Sequence, residues 1–547
     1  MSNPLHEMSL ADVGALIRSK RVSPVEVTTE ALARIEQLNP RVNAFWTVTA
    51  DLAREQARAA ETEIVKGEYR GPLHGVPIGL KDLFYTRGIR TTAGSKIMAD
   101  FVPDFDATVV ERLRQAGAVL VGKTALHEFA YGVTNDNPHF GPTRNPWDPT
   151  RTPGGSSGGS GVALATGMCY AALGTDTGGS IRIPACFCGI AGLKPTRGRV
   201  SVRGVYPLGY TLDHVGPMAR TVVDVGLVYQ VIAGFDPQDE FSEDRPVGEV
   251  RLRKSLNQGT GNWEQGTGGR SQNPSRESEP RSATPVGTGP QWRGPSDPRP
   301  NQSRDRQGAV ALNQSRDRER AATQGIGNRE QGTGGRNPVR IGLPENYFFD
   351  CVQPEVETLV RKAASVMEDL GAELVPVRVP GMEELEQANL RTLLVEAYVV
   401  HKEHLENRPN DLGEEVRKRI ERGREVSAPE YVEAQLARHR IRRELEQLFE
   451  QVDVIVTPTT PLAAFPLGET KANVCGKEED ARIAATRLTR VFNATGHPAL
   501  SVCCGFTSQG LPAGLQIVGR MWGEATVLQV GYAYEQATDW HTRRPPV

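Results

Sequence analysis

The stretch CYAALGTDTGGS, Cys169 to Ser180, runs from an apolar segment directly into a glycine-rich turn that ends on a serine. Glycine tolerates positive φ and lets a ligand approach the backbone closely. The amides of Thr177, Gly178, Gly179 and Ser180 can then converge on one point, as a developing oxyanion requires. If SIRIPACF opens a helical turn, its dipole adds to the effect. Ser180 at that point is placed as a nucleophile, but a serine hydroxyl stays weak until a base takes its proton. Lys81, in GLKD, directly follows the apolar run GVPIGL. Desolvation there lowers an amine from about 10.4 toward about 7–8, where it is neutral and can act as a base. The loop TPGGSSGGSG adds serines whose hydroxyls can relay a proton. The chemistry these residues point to is acyl transfer through serine.

The surrounding text is dense in matching motifs: GVPIGLKD, AVLVGKTALHEFAYGVTNDNPHFGPTRNPWD, TPGGSSGGSGVALATG, GTDTGGSIRIPACFCGIAGLKPT and, much later, GLPAGLQIVGR. On these residues the chain resembles the amidase signature enzymes, through a block covering roughly residues 70–220 and more weakly beyond it. The resemblance implies a Ser-cisSer-Lys triad. Lys81 matches the base and Ser180 the nucleophile. Ser156, the first serine of GGSSGG and 24 residues before Ser180, matches the bridging serine behind a cis peptide bond. Gly132, in FAYG, falls where the family lines its acyl pocket and is the substrate-binding candidate. Thr177, Gly178 and Gly179 form the expected oxyanion hole. Neutral Lys81 would take a proton from Ser156, Ser156 one from Ser180, and water would hydrolyse the acyl-enzyme by the same relay. No cofactor and no metal are expected. Singly, each residue has an ordinary reading: Lys81 as a solvated or salt-bridged lysine, Ser156 as a turn cap, Ser180 as a helix N-cap. Their order and spacing favour catalysis.

The family includes the glutamine-hydrolysing subunit of the bacterial tRNA amidotransferase, and the signature block does not separate that subunit from stand-alone amidases. The subunit grips the glutamine carboxylate with an arginine in an R-Y-G context and the amine with an aspartate. Here the comparable region, EAYVVHKEHLENRPNDLG, lacks that motif, and Thr486 stands at the aspartate position in AATRLTRVFNATGHPALSV. An amino-acid substrate needs its charged ends paired. The expectation is therefore a stand-alone amidase that cleaves a linear amide to the carboxylate and ammonia or amine. Its expected partners are a small-molecule amide, no nucleic acid and no membrane, with a homodimer left open. The alternatives are a non-catalytic protein on an amidase scaffold and the glutamine-hydrolysing subunit. The scaffold reading predicts loss of a triad member, and none is lost.

Positioning these residues requires a sheet. GVPIGL, AVLVG, CYAALGT, VDVIVTP, ALSVCC and GLQIVG read as strands, interleaved with helices such as DATVVERLRQAG and EATVLQVGYAYEQATDW. Near the N-terminus, Ser23, Pro24 and Glu26 form a capping box, and Val27, Ala31, Ile35 and Leu38 follow on one helical face. The expected fold class is α/β, a large mixed β-sheet core flanked by helices on both faces. From about Ser255 to Arg336 the chain is almost all Gly, Ser, Gln, Asn, Pro, Arg, Thr and Glu, and both EQGTGGR and NQSRDR occur twice. Such a segment buries too little apolar surface to offset its ordering entropy. The expected organisation is an amidase domain in two parts, 1–254 and 337–547, split by a disordered insertion at 255–336.

Two other motif matches fail on context. GAVLVGKT (117–124) satisfies the phosphate-loop pattern, but Ala-Val-Leu-Val prefers a buried strand, whose amides cannot wrap an anion. GGSSG and GSSGG satisfy the nucleophile-elbow pattern, but no strand precedes them. The 547 residues carry 64 Lys and Arg against 66 Asp and Glu, a balance that argues against a nucleic-acid or membrane-surface protein. No apolar run reaches transmembrane length and the start lacks signal-peptide character. The seven cysteines suit reduced thiols, so a cytoplasmic location is expected. Cys186-x-Cys188 and Cys503-Cys504 lack further ligands at metal spacing.

Overall fold

Short apolar runs become strands. In chain order they are β1 (Phe45–Val48), β2 (Pro77–Lys81), β3 (Val119–Thr124), β4 (Ala171–Asp176), β5 (Ala191–Lys194), β6 (His214–Ala219), β7 (Arg340–Pro344), β8 (Glu373–Val377), β9 (Val454–Pro458), β10 (Lys471–Val474), β11 (Lys477–Asp480), β12 (Ala499–Phe506) and β13 (Pro512–Gly519). This is a computed structural model, and it describes residues 4–257 and 337–547. Eleven strands form one sheet in the order β1-β3-β2-β4-β6-β5-β12-β13-β9-β7-β8. β2 runs parallel to both β3 and β4, and β7 is parallel to both β8 and β9. The remaining pairings are antiparallel, so the sheet is mixed. β10 and β11 form a separate antiparallel hairpin.

Every residue of β2, β3, β4, β9 and β13 is buried. Strands buried on both faces read as continuous apolar runs rather than alternating ones, which is why GVPIGL and AVLVG are legible. Helices cover both faces, as the fold class requires. The helix Pro24–Val42 starts as expected: the Ser23 side chain accepts from the Glu26 amide, and Glu26 returns a bond to the Ser23 amide. Its Val27, Ala31, Ile35 and Leu38 are buried. Among the described residues no helix is long and apolar enough to cross a membrane.

The expected insertion, 255–336, lies outside the described residues except for Ser255, Leu256 and Asn257. Leu256 is fully buried; its N–H donates to the Leu370 carbonyl at 3.0 Å and its carbonyl accepts from the Val339 amide at 3.0 Å. The folded segment therefore continues past the expected boundary at 254, and its two ends are hydrogen-bonded to each other. Loop-closure entropy changes only slowly with loop length. Replacing 258–336 by a short Gly-Ser linker should leave ammonia release within about twofold of the full chain. An insoluble or inactive deletion protein would refute this.

Candidate active site

β2 delivers Lys81 from its last position. The parallel pairing of Leu80 with Leu173 sets it beside the end of β4. Lys81 is fully buried, and its Nζ donates to Ser156 Oγ at 2.7 Å and to Thr175 Oγ1 at 2.7 Å. Among the described residues no carboxylate forms an ion pair with it. Burial lowers its pKa to about 7, opposed by the more distant charges of Asp213 and Asp176. The salt-bridged reading therefore belongs to the neighbouring residues, with Asp82 lying 3.5 Å from Lys123. Thr175 also lines a cavity of about 390 Å³ together with Asp213 and His214.

Ser156 is placed by its own loop. The Gly155–Ser156 peptide bond is cis, as the resemblance implied. The Ser156 carbonyl accepts from the His127 amide at 3.2 Å, and the chain then enters the helix Gly158–Ala165. That helix can lie this close only because Gly159 has no side chain: a Cβ there would sit 2.4 Å from the Ala125 amide nitrogen. The Ser157 amide donates to the Ser180 carbonyl at 3.2 Å and straps the two serine loops together.

The loop that carries Ser180 is built around Asp176. Its buried carboxylate accepts from the Gly179 amide (2.8 Å), the Ile181 amide (3.2 Å), Arg182 Nε (3.0 Å), Arg182 Nη2 (2.9 Å) and Asn493 Nδ2 (2.8 Å). Burial alone would raise this carboxyl, but the Arg182 guanidinium holds it well below the usual carboxylate range. Gly179 sits at φ +133°, where a side chain would also meet Thr489 Oγ1 at 2.3 Å. The helix after the loop is Arg182–Cys188 with Ile181 at its N-cap, so Ser180 is not a cap. Ser180 is 6% exposed, and its hydroxyl makes no hydrogen bond among the described residues.

The structure thus joins Lys81 to Ser156 directly and holds Ser180 beside them through backbone, without closing the hydroxyl link between the two serines. Catalytic hydrogen bonds often tighten only once substrate is bound. The four-amide cradle is narrower than expected, because the Gly179 amide is committed to Asp176. The amides of Thr177, Gly178 and Ser180 have no acceptor among the described residues. Gly132 packs against the His127 ring, where a Cβ would lie 2.2 Å from Nε2, and its carbonyl abuts Gly155. A second cavity of about 410 Å³ opens beside His127, Glu128 and Glu415.

Sequence reasoning misses Thr175, which accepts from Lys81, and Asn493, which donates to Asp176. A hydroxyl in an apolar strand and a polar residue some 300 positions away carry no local signal. The Asp176–Arg182 pair is visible within GTDTGGSIR but reads there only as flanking text. The two excluded motifs behave as their context indicates. GAVLVGKT forms β3, and Lys123 Nζ donates to the Phe84 carbonyl (2.7 Å) and Thr91 Oγ1 (2.6 Å). Cys186, Cys188, Cys503 and Cys504 are buried, and burial raises their thiol pKa values.

An eleven-stranded mixed sheet that presents a buried lysine, a serine behind a cis bond and a serine on a glycine-rich turn defines the class. The Amidase family profile matches residues 26–261 and 309–528, and the chain belongs to this family of hydrolases acting on amides. It is 38% identical to the A subunit of the glutamyl-tRNA(Gln) amidotransferase of Chloroflexus aurantiacus, over 99% of each chain. It is 37% identical to the corresponding protein of Moorella thermoacetica, again over 99% of each. The solved structure of the Thermotoga maritima counterpart superposes with a TM-score of 0.70 at 28% identity, covering 98% of this chain and 96% of that one.

These relatives overturn the expectation of a stand-alone amidase whose only partner is a small-molecule amide and which has no nucleic-acid connection. Proteins named as amidotransferase subunits match this chain end to end. The contrary inference rested on two substrate-contact positions, Thr486 and the 396–413 stretch. Such contacts are single side chains that a neighbour can replace without altering fold or triad.

Proposed function

We propose that this chain is the amide-hydrolysing component of an amidotransferase acting on glutamyl-tRNA(Gln), and that it releases ammonia from the side-chain amide of glutamine. The observation that carries the chemistry is the 2.7 Å contact from a buried Lys81 Nζ, which no carboxylate among the described residues pairs with, to Ser156 Oγ. Its place in an amidotransferase draws on the names of the full-length relatives.

Neutral Lys81 takes the Ser156 proton while Ser156 takes that of Ser180. Ser180 Oγ attacks the amide carbon. The Thr177, Gly178 and Ser180 amides hold the oxyanion, and Gly179 supports them through its bond to Asp176. Ser156 returns the proton to the departing nitrogen, so ammonia leaves as the ester forms. Water then repeats the sequence on the ester, releasing glutamate and restoring Ser180. Thr175 steadies Lys81, and Gly132 admits the His127 ring, which fills the space a side chain there would take. The buried free thiols suit the reducing cytoplasm.

The test is ammonia release from L-glutamine, butyramide and benzamide by the chain purified with whatever proteins accompany it. Turnover of glutamine is the expected result. Cleavage of the simple amides with none of glutamine would overturn the reading.

A further inference from the structure

The helix Ala481–Thr495 forms one wall of the nucleophile loop. Thr489 Oγ1 donates to the Gly178 carbonyl at 2.7 Å, and Asn493 Nδ2 donates to the Asp176 carbonyl at 2.9 Å. Helical spacing sets residues 486, 489, 490 and 493 along adjacent positions of that wall. A Cβ added to Gly178 would have a single heavy atom within 4 Å, the Cβ of Arg490 at 3.9 Å. The space over Gly178 is therefore open, and Arg490 stands at its edge.

The Arg490 guanidinium is poorly matched for a buried cation. The residue is 7% exposed. Its Nη2 donates to the Ile483 carbonyl at 3.1 Å and to Thr486 Oγ1. The nearest carboxylate oxygen to Nη1, Glu386 Oε1, is 3.8 Å away, while Glu386 Oε2 accepts from the Tyr347 hydroxyl at 3.0 Å. Nε and Nη1 have no hydrogen-bond acceptor among the described residues, yet neither is sealed from solvent. Burial pushes this guanidinium below its usual value, with Glu386 and Tyr347 opposing. A buried cation is costly unless paired, and a guanidinium N–H without an acceptor can donate a charge-assisted bond to a carboxylate.

We propose that Arg490 binds the free carboxylate of an acid-bearing amide substrate and so places the amide over Ser180. The inference rests on the glutamine reading only in identifying that carboxylate as glutamine's own. Thr486 has a part in this. As a neutral hydroxyl it orients the guanidinium without neutralising it, whereas an aspartate at 486 would supply the counter-charge itself. The position whose missing charge argued against an amino-acid substrate is thus what leaves Arg490 free.

The experiment compares glutamine, glutaramate (the carboxylate without the amine) and butyramide on the wild-type protein and on Arg490→Gln, Arg490→Lys and Thr486→Asp. The wild type should prefer glutaramate to butyramide. In Arg490→Gln the ratio of their kcat/KM values should fall about 30-fold, mainly through KM. Arg490→Lys should keep part of the preference, and Thr486→Asp should lose it while Arg490 remains. A merely structural Arg490 would lower both substrates together and leave the ratio intact, which overturns the proposal. So does a wild type with no acid preference. Turnover of glutaramate but not glutamine would sink the glutamine reading and leave Arg490 standing. Turnover of glutamine with the ratio unmoved in Arg490→Gln would do the reverse.

Discussion

Ser180→Ala should reduce ammonia release by on the order of 10⁴-fold or more while leaving the fold intact, and Lys81→Met should be equally inactive. The two variants separate in stability. Ser180 Oγ has no hydrogen bond to lose, so the alanine variant should melt with the wild type. Lys81 is different because its folded-state pKa, about 7, lies below the ordinary 10.5. Between those values the unfolded chain binds more protons, so folding stability rises with pH across the window. Below about pH 7 the amine must be buried charged, at a cost on the order of 5 kcal/mol. Lys81→Met removes this dependence, against the loss of two hydrogen bonds to Ser156 and Thr175. It should therefore be at least as stable as the wild type at pH 6 and gain nothing by comparison at pH 10. Activity follows the same group with a catalytic sign. The base works when neutral, so kcat/KM and fluorophosphonate labelling of Ser180 should climb as pH rises through about 7. Near-normal turnover in either variant, or a labelling rate flat from pH 5.5 to 8.5, would remove Lys81 and Ser180 from their roles.

What can be read from the chain divides along physical lines. β2, β3, β4, β9, β12 and β13 are legible because strands buried on both faces must be continuously apolar, and such runs are visible locally. Their order in the sheet is not, since β5 lies beside β12 and β9 beside β7 through pairings across long sequence separations. Lys81 and Ser180 are legible because each sits where an apolar strand meets a loop. Ser156 is not distinguishable from Ser157 or Ser160 by composition; the resemblance selects it. The Gly179 amide, one of the four expected to converge, is taken by the side chain of Asp176 three residues before it, which spacing alone does not reveal. The substrate contacts mislead for a related reason. Their absence at expected positions is visible, whereas the burial of Arg490 beside Gly178, four residues along the same helix, is not.

Asp176→Asn should cost the protein about 3–5 kcal/mol and most of its activity. Arg182 is fully buried, and its guanidinium donates to the Thr489 carbonyl (3.0 Å), Gln516 Oε1 (2.7 Å) and Asn493 Oδ1 (2.7 Å) besides Asp176. Three of those four acceptors are neutral, so removing the carboxylate leaves a cation in the core without its counter-charge. That loss, rather than the net worth of the pair, sets the magnitude. Acid does not reproduce it readily, because the carboxyl is held below its unfolded value and its contribution is lost only as pH falls through that depressed range. The double variant Asp176→Asn/Arg182→Met separates the two duties of the aspartate. Removing the orphaned cation should restore much of the urea midpoint, since the two sites are in direct contact and their effects do not add. It should not restore ammonia release, because the Gly179 and Ile181 amides still lack the carboxylate that shapes residues 177–181 around Ser180. A double variant that recovered activity along with stability would mean that the ion pair only holds the fold, and that the turn carrying Ser180 keeps its shape without it.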